Sequence, residues 1–288
     1  PDVNSKMSRP EHQAPPEIFY SGEEAKKYAT NSRMREIQST LSERALELLS
    51  LPEDSAPHLL LDIGCGSGLS GECITEAGHQ WIGVDISRDM LNVAVENEVE
   101  GDVILNDMGQ GLPFRPATFD GCISISAIQW LCNAEGTAAN PYRRLLTFFT
   151  SLFRSLVRGG RAVLQWYPEN AQQMELVTGC AMRCGFGGGL LVDYPHSTRA
   201  KKFFLVLFAG QREGGSAPAM PHALGVEGGQ DQVSYESKRE RGHKGKRGRD
   251  DGPGHKDWVL NKKQRQRAQG KEVPHDSKYT ARKRRPKF

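Results

Sequence analysis

The sequence predicts an α/β protein with a mostly parallel, doubly wound sheet closed by an antiparallel final strand. Three observations predict it. Short apolar runs alternate with helical segments from residue 59 to residue 185, a glycine-rich turn follows the first run, and two strand-like runs close the body with no helix between them.

Taken in order, residues 1–17 are polar and proline-bearing and read as an extended lead-in, and the missing initiator Met suggests a trimmed start. Helical periodicity follows over 23–28 and 32–51, with Met34, Ile37, Leu41, Ala45, Leu48 and Leu49 on one face. Strands are expected at 59–63, 80–86, 102–105, 119–125, 161–167, 185–193 and 202–209. The crossover helices fall at 69–77, 89–98, 143–156 and 170–184. Arg158, Gly159 and Gly160 read as the stop of the third of these.

At 288 residues the chain is long enough for one sizeable α/β domain plus an appendage. No run approaches the roughly 20 apolar residues of a membrane span, and no signal-peptide core is visible, so a soluble intracellular protein is expected. The six cysteines are scattered in apolar segments and read as reduced core thiols. Cys180 and Cys184 have helical spacing, but without a second Cys/His pair of zinc spacing no metal site is expected.

The stretch LLLDIGCGSGLSG, residues 59–71, is a strand running into a turn with Gly64, Gly66 and Gly68 at alternate positions. Such a turn lets a ligand lie against the main chain. From Gly66 onward the letters also spell the dinucleotide fingerprint G-x-G-x-x-G, but Asp62 and Gly64 come first, so D-x-G-x-G-x-G is the better reading. An acid at the mouth would repel a pyrophosphate. It would accept hydrogen bonds from the ammonium group of S-adenosyl-L-methionine (SAM), which is therefore favoured.

Asp85 ends the second strand about 20 residues on, where an acid can accept both ribose hydroxyls, while Ser87 and Asp89 can cap the next helix instead. Asp107 and Met108 could bond the adenine amino group and pack on its face. Residues 126–130 lie where an open α/β sheet places its reacting ligand, and Gln129 and Trp130 could orient and stack a planar base. The competing reading of Trp130 is a core cap. A dinucleotide dehydrogenase would usually need a second substrate domain, and none is left over.

The net charge of +3 hides a division. Residues 238–288 hold 19 of the 38 basic residues and 6 of the 35 acidic ones, a local balance of +13, which leaves −10 on residues 1–237. Residues 1–55 are read as lead-in and helices over the site, 56–210 as the SAM-binding core, 211–237 as a flexible linker and 238–288 as a disordered basic arm for an RNA-rich surface. RKRRPK, residues 282–287, also fits a nuclear import signal.

The words RPEH, PPEIFY, EEAKKY and NSRM, the glycine turn, GDVILNDMGQGLPFRPATFDGCISISAIQWLCNA, SLVRGGRAVLQWYPEN, WVLNKKQRQRAQGKEV and YTARKRRPKF resemble the eukaryotic 18S rRNA guanine-N7 methyltransferase family. The resemblance covers residues 9–209 and 257–288; residues 211–256 depart from it, being richer in glycine. It implies a class I SAM-dependent methyltransferase fold and methyl transfer to N7 of one guanine of 18S rRNA within a small-subunit precursor. It also implies a small zinc-binding activator subunit, for which Val103, Ile104 and Leu105 on the exposed third strand offer an edge. A nuclear and nucleolar location follows, with a cytoplasmic pool also allowed.

On this reading SAM is held by Asp62, Gly64, Gly66, Gly68, Asp85, Ile86, Asp107, Met108 and Ser124, with Tyr28 and Arg33 closing over its methionine end. Gln129, Trp130, Tyr167 and Pro168 face the target base. Guanine N7 carries a lone pair and no proton, so alignment matters more than acid–base catalysis and can supply on the order of 7–11 kcal/mol. Two alternatives are a small-molecule methyltransferase and an assembly factor whose required role is structural.

Overall fold

The computed structural model describes residues 9–52, 56–133, 140–210 and 219–225, together with Leu260, Lys263, Arg267, His275 and Asp276. The chain divides into two compact units, residues 1–230 and 231–288. In the second unit Asp276 pairs with Lys263 (3.0 Å) and Arg267 (2.8 Å). The rest of the basic arm, and the expectation that it is disordered, lie outside the described residues.

Seven strands form one sheet in the order β3-β2-β1-β4-β5-β7-β6. They are β1 Leu59–Ile63, β2 Gln80–Asp85, β3 Asp102–Leu105, β4 Phe119–Ile125, β5 Leu156–Trp166, β6 Gly187–Asp193 and β7 Lys202–Phe208. β1 to β5 run parallel, and β7 is antiparallel to both β5 and β6. The seven-stranded, mostly parallel sheet expected of a class I methyltransferase is therefore present.

Helices α1 Pro16–Phe19, α2 Glu23–Thr30 and α3 Ser32–Leu49 precede the sheet; α4 Leu69–Glu76, α5 Arg88–Glu96, α6 Pro141–Ser155 and α7 Ala171–Arg183 connect its strands. Successive strand residues point to opposite faces, which gives two core layers. Leu61, Ala162 and Leu164 pack with Phe148, Phe149 and Leu152 of α6 and Val177 of α7. Leu60, Ile123 and Val163 pack with Leu41, Ala45 and Leu48 of α3 and Ile74 of α4. Burying both faces is why these strands read as continuous apolar runs.

Three expectations are corrected. The lead-in is not extended: Pro10–His12 form a 3₁₀ turn and Pro16–Phe19 a short helix, both started by prolines that fix φ. Gly159 and Gly160 are not a helix stop, because α6 ends at Ser155 and β5 starts at Leu156. They lie at a register irregularity against β4, where Gly159 takes φ 80°. Within the expected linker, residues 219–225 are held against the body, since Arg44 donates to the His222 carbonyl (2.8 Å) and Leu224 N donates to Asp193 (2.8 Å).

Candidate active site

One cavity opens at the carboxyl ends of β1, β2 and β4. Its wall includes Gly64, Cys65 and Gly66 of the loop after β1, Asp85 and Ile86 after β2, Asn106, Asp107 and Met108 after β3, and Ser126, Ala127 and Trp130 after β4. Tyr20 and Tyr28 of the N-terminal segment close it.

The loop after β1 is pinned before any ligand arrives. Gly64 N and Cys65 N both donate to the Val84 carbonyl (2.8 and 3.2 Å), and Gly66 N donates to Asp85 Oδ2 (2.9 Å). Gly64 sits at φ 73°, and a Cβ there would lie 2.4 Å from Ala127 Cβ, so the loops after β1 and β4 touch only because this position is glycine. Asp85 Oδ1 accepts from Ser87 N (2.8 Å). Burial raises the Asp85 pKa, while backbone N–H groups of Ser87, Gly66 and Ile86 pull it down. Ser87, not Asp85, caps α5, its Oγ accepting from Met90 N (3.2 Å).

The N-terminal segment is stitched across the cavity by polar contacts at both ends. Arg9 donates to the carbonyls of Tyr167 (2.8 Å) and Pro168 (3.3 Å). Farther along, Ser87 Oγ donates to the Tyr20 carbonyl (2.8 Å) and Gly22 N to Asp89 Oδ2 (2.6 Å). Between them Tyr20 packs edge-on against Tyr28 and Trp130, with ring centres 5.5 and 5.8 Å apart. Burial, then the charges of Asp85 and Glu11, push the Tyr20 hydroxyl up to about 12, and burial also raises Tyr28. Both phenols therefore stay protonated near neutral pH and can act as donors, not bases.

Of the residues singled out from sequence, Tyr28, Gly64, Gly66, Asp85, Ile86, Asp107, Met108 and Trp130 meet on this wall. Seven others do not. Asp62 is fully buried beneath the loop, where its Oδ2 accepts from Ser70 Oγ (2.5 Å). Burial raises its pKa to about 7, against the lowering effect of the Ser70 hydroxyl. Gly68 is the N-cap of α4 and packs on Val99. Ser124 is buried and donates to the Ile63 carbonyl (2.8 Å), tying β4 to β1.

Arg33 is exposed in the first turn of α3, its amide capped by Asn31. Gln129 turns back to donate to the Ser126 carbonyl (2.7 Å) and so fixes the 3₁₀ turn 128–132 that carries Trp130. Tyr167 and Pro168 present their carbonyls to Arg9 and lie off the wall.

Sequence reasoning missed Tyr20 and Arg144, and from residues 126–130 it singled out Gln129 and Trp130 but not Ser126. Ser126 adopts φ 58° and donates from Oγ to the buried Gln165 Oε1 (2.9 Å), a strained turn with no signature in its letters. Arg144 comes from α6 and pairs with Asp107 at 2.8 Å, a partnership 37 residues apart that only packing creates. Tyr20 had a signal, the aromatic pair ending PPEIFY.

A family profile described as "Methyltransferase domain" matches residues 61–164, and one described as "Methyltransferase involved in Williams-Beuren syndrome" matches residues 207–286. The chain is 55% identical to the Mus musculus 18S rRNA (guanine-N(7))-methyltransferase, over 99% of both chains. It is 54% identical to the Arabidopsis thaliana 18S rRNA (guanine-N(7))-methyltransferase RID2, over 98% of this chain and 99% of that one.

The chain belongs to the 18S rRNA (guanine-N7) methyltransferase family.

Among solved structures, a Methanococcus maripaludis protein assigned as a SAM-dependent methyltransferase shares the fold of this family member. Its TM-score is 0.51 and its identity 13%, over 67% of this chain and 94% of that one. The cofactor of this rRNA methyltransferase is SAM, and the wall fits it. Gly64 and Gly66 bring main chain to the wall, Asp85 presents a carboxylate already oriented by backbone N–H groups, and Met108 offers an apolar thioether beside Asp107.

Proposed function

We propose that this methyltransferase transfers a methyl group to N7 of a guanine in 18S rRNA during small-subunit assembly. One observation carries the reading: similarity over nearly the full length to enzymes so named coincides with a cavity that holds aligning groups and, among the described residues, no proton-transfer pair. SAM, when bound, supplies a methyl group activated on its sulfonium.

The chain's own residues do the rest. The Gly64–Gly66 backbone receives the methionine end, Asp85 the ribose hydroxyls, and Asp107 with Met108 the adenine. Arg144 holds Asp107 in place from behind. Tyr20 and Tyr28 cover the donor and exclude water, which strengthens every polar contact inside. Trp130 supplies a flat surface for the target base, and Gln129, Tyr167 and Pro168 fix the elements around it. No histidine lines the cavity among the described residues, and Asp85 and Asp107 are tied to protein donors. That suits an acceptor whose lone pair needs no deprotonation. Mapping N7-methylguanosine on small-subunit rRNA after depletion and re-expression tests this; a full methyl level without the protein would overturn it.

A small zinc-binding activator subunit is proposed to add to the β3 edge. β3 pairs only with β2 among the described residues, and its Leu105 and Val95 of α5 are 47% and 64% exposed. An uncovered apolar edge is a liability that strand addition relieves. Replacing Leu105 with Glu should abolish co-purification of the subunit while the isolated chain still binds SAM. A nuclear and nucleolar location is proposed from residues 282–287; loss of nuclear signal from a fluorescent fusion lacking those charges would support it.

A further inference from the structure

The end of the sheet that carries the cavity continues sideways past it. β4, β5, β7 and β6 are neighbours in that order. β7 runs against both of its neighbours, with Phe203 opposite Trp166 and Lys202 opposite Asp193. The start of β7 and the loop 194–201 before it therefore lie at the carboxyl end of the parallel strands, as the cavity does. The ends of β4 and β7 stand two strand spacings apart, about 10 Å, a distance that a short run of nucleotides spans.

This corner of an acidic body is basic. No acid occurs from Tyr194 to Lys202, whereas Arg199, Lys201 and Lys202 are cationic and Arg199 is exposed. Acids on the neighbouring elements have partners within the protein: Asp193 pairs with Arg44 (2.9 Å), Glu169 with His12 (3.3 Å) and Glu11 with Arg9 (3.3 Å).

Lys202 is also held in place. Its Nζ stands 5.4 Å from the centre of the half-buried Tyr167 ring, a cation–π contact. Tyr167 is fixed in turn through its carbonyl, which accepts from Arg9 (2.8 Å). Its influence reaches the cavity wall: after burial and Tyr20, Tyr167 is the next cause that raises the Tyr28 hydroxyl. The loop is folded on itself, with Ser197 N donating to the Tyr194 carbonyl, Ala200 N to Ser197 Oγ and Lys201 N to the Ser197 carbonyl, each at 3.0 Å. Tyr194 N donates to the Leu224 carbonyl (2.7 Å), which ties the loop to residues 219–225. Cations carried on such a formed surface lose less freedom on meeting an anion than cations on a loose chain.

We propose that Lys202, Arg199 and Lys201 form a phosphate-binding rim that holds the backbone of the rRNA strand beside the guanine at the cavity. Phosphate contacts position a strand without reading its sequence, and lysine is a compact point charge suited to them. The rim rests on the rRNA reading above and acts within residues 1–230. It therefore governs RNA affinity and leaves SAM binding alone.

Lys202→Gln and the double variant Arg199→Gln with Lys201→Gln should each raise KM for unmethylated small subunits, and the Kd for their RNA freed of protein, by roughly three- to tenfold. Each lost phosphate contact should make log K against log salt shallower by about 0.7. Lys202→Arg keeps the charge and should behave as the parent, and the Kd for SAM should stay at the parent value in every variant. Unchanged KM and salt slope in both Gln variants would overturn the rim, as would an equal loss in Lys202→Arg. A raised KM on subunits with parent-like affinity for the free RNA would also overturn it, in favour of an acidic protein surface as the loop's partner. No RNA methylation by the parent chain would overturn the functional reading itself, a result that no loop variant can produce.

Discussion

Asp85 joins the loop after β1 to the start of α5 through one carboxylate, Gly66 N on one oxygen and Ser87 N on the other. Replacing it with Lys removes both acceptors and puts a cation against the ribose position, so SAM binding by calorimetry should vanish. Undiminished binding would remove the donor assignment. Asp62 makes a different prediction. Its folded pKa, about 7, lies above the ordinary 3.8 because burial favours the neutral acid. The folded protein thus binds this proton more tightly than the unfolded chain does, and the resulting stability is present below about pH 4 and withdrawn as pH rises to 7. Asp62→Asn should flatten the stability–pH profile across that window in denaturant titrations.

At the scale of elements, α4 lies unusually close to β2. A Cβ on Gly71 would meet Trp81 Cζ2 at 2.0 Å, since the indole fills the space against the helix and donates from Nε1 to Thr75 (3.1 Å). Gly71→Ala should cost about 1–3 kcal/mol by overpacking and lower Tm, despite the better helix propensity of alanine. Trp81→Phe in the same chain should recover part of the loss. In the fingerprint reading Gly71 is the third glycine of a dinucleotide loop; its packing against Trp81 shows why a glycine stands there without any pyrophosphate.

For the whole molecule, charge is split between an acidic body and a basic C-terminal segment. RNA binding should weaken steeply with salt. Replacing the five cations at 282–287 with Gln should make log K against log salt shallower by roughly 0.7 for each phosphate that is no longer neutralised. An unchanged slope would mean that these five cations do not neutralise RNA phosphates. On the proposed reading the body brings geometry for one base, and the basic segment brings affinity without sequence choice.

The sequence by itself determined the sheet, the donor loop and the charge division, because each is written in local pattern: apolar runs, glycine spacing with Asp85 at the next strand's end, and a one-sided run of Lys and Arg. It also made Met108 and Trp130 legible, since both follow strands at the carboxyl end where such sheets bind ligands. Only the tertiary structure decided that Asp62 and Ser124 brace the loop from below, that Arg9 and Tyr20 draw the N-terminal segment over the cavity, and that Arg44, Asp193 and Leu224 bring the chain back to the active end. Those interactions join residues far apart in the chain. Spacing cannot encode them, because they exist only after two layers have packed on the sheet and set which side chains face each other.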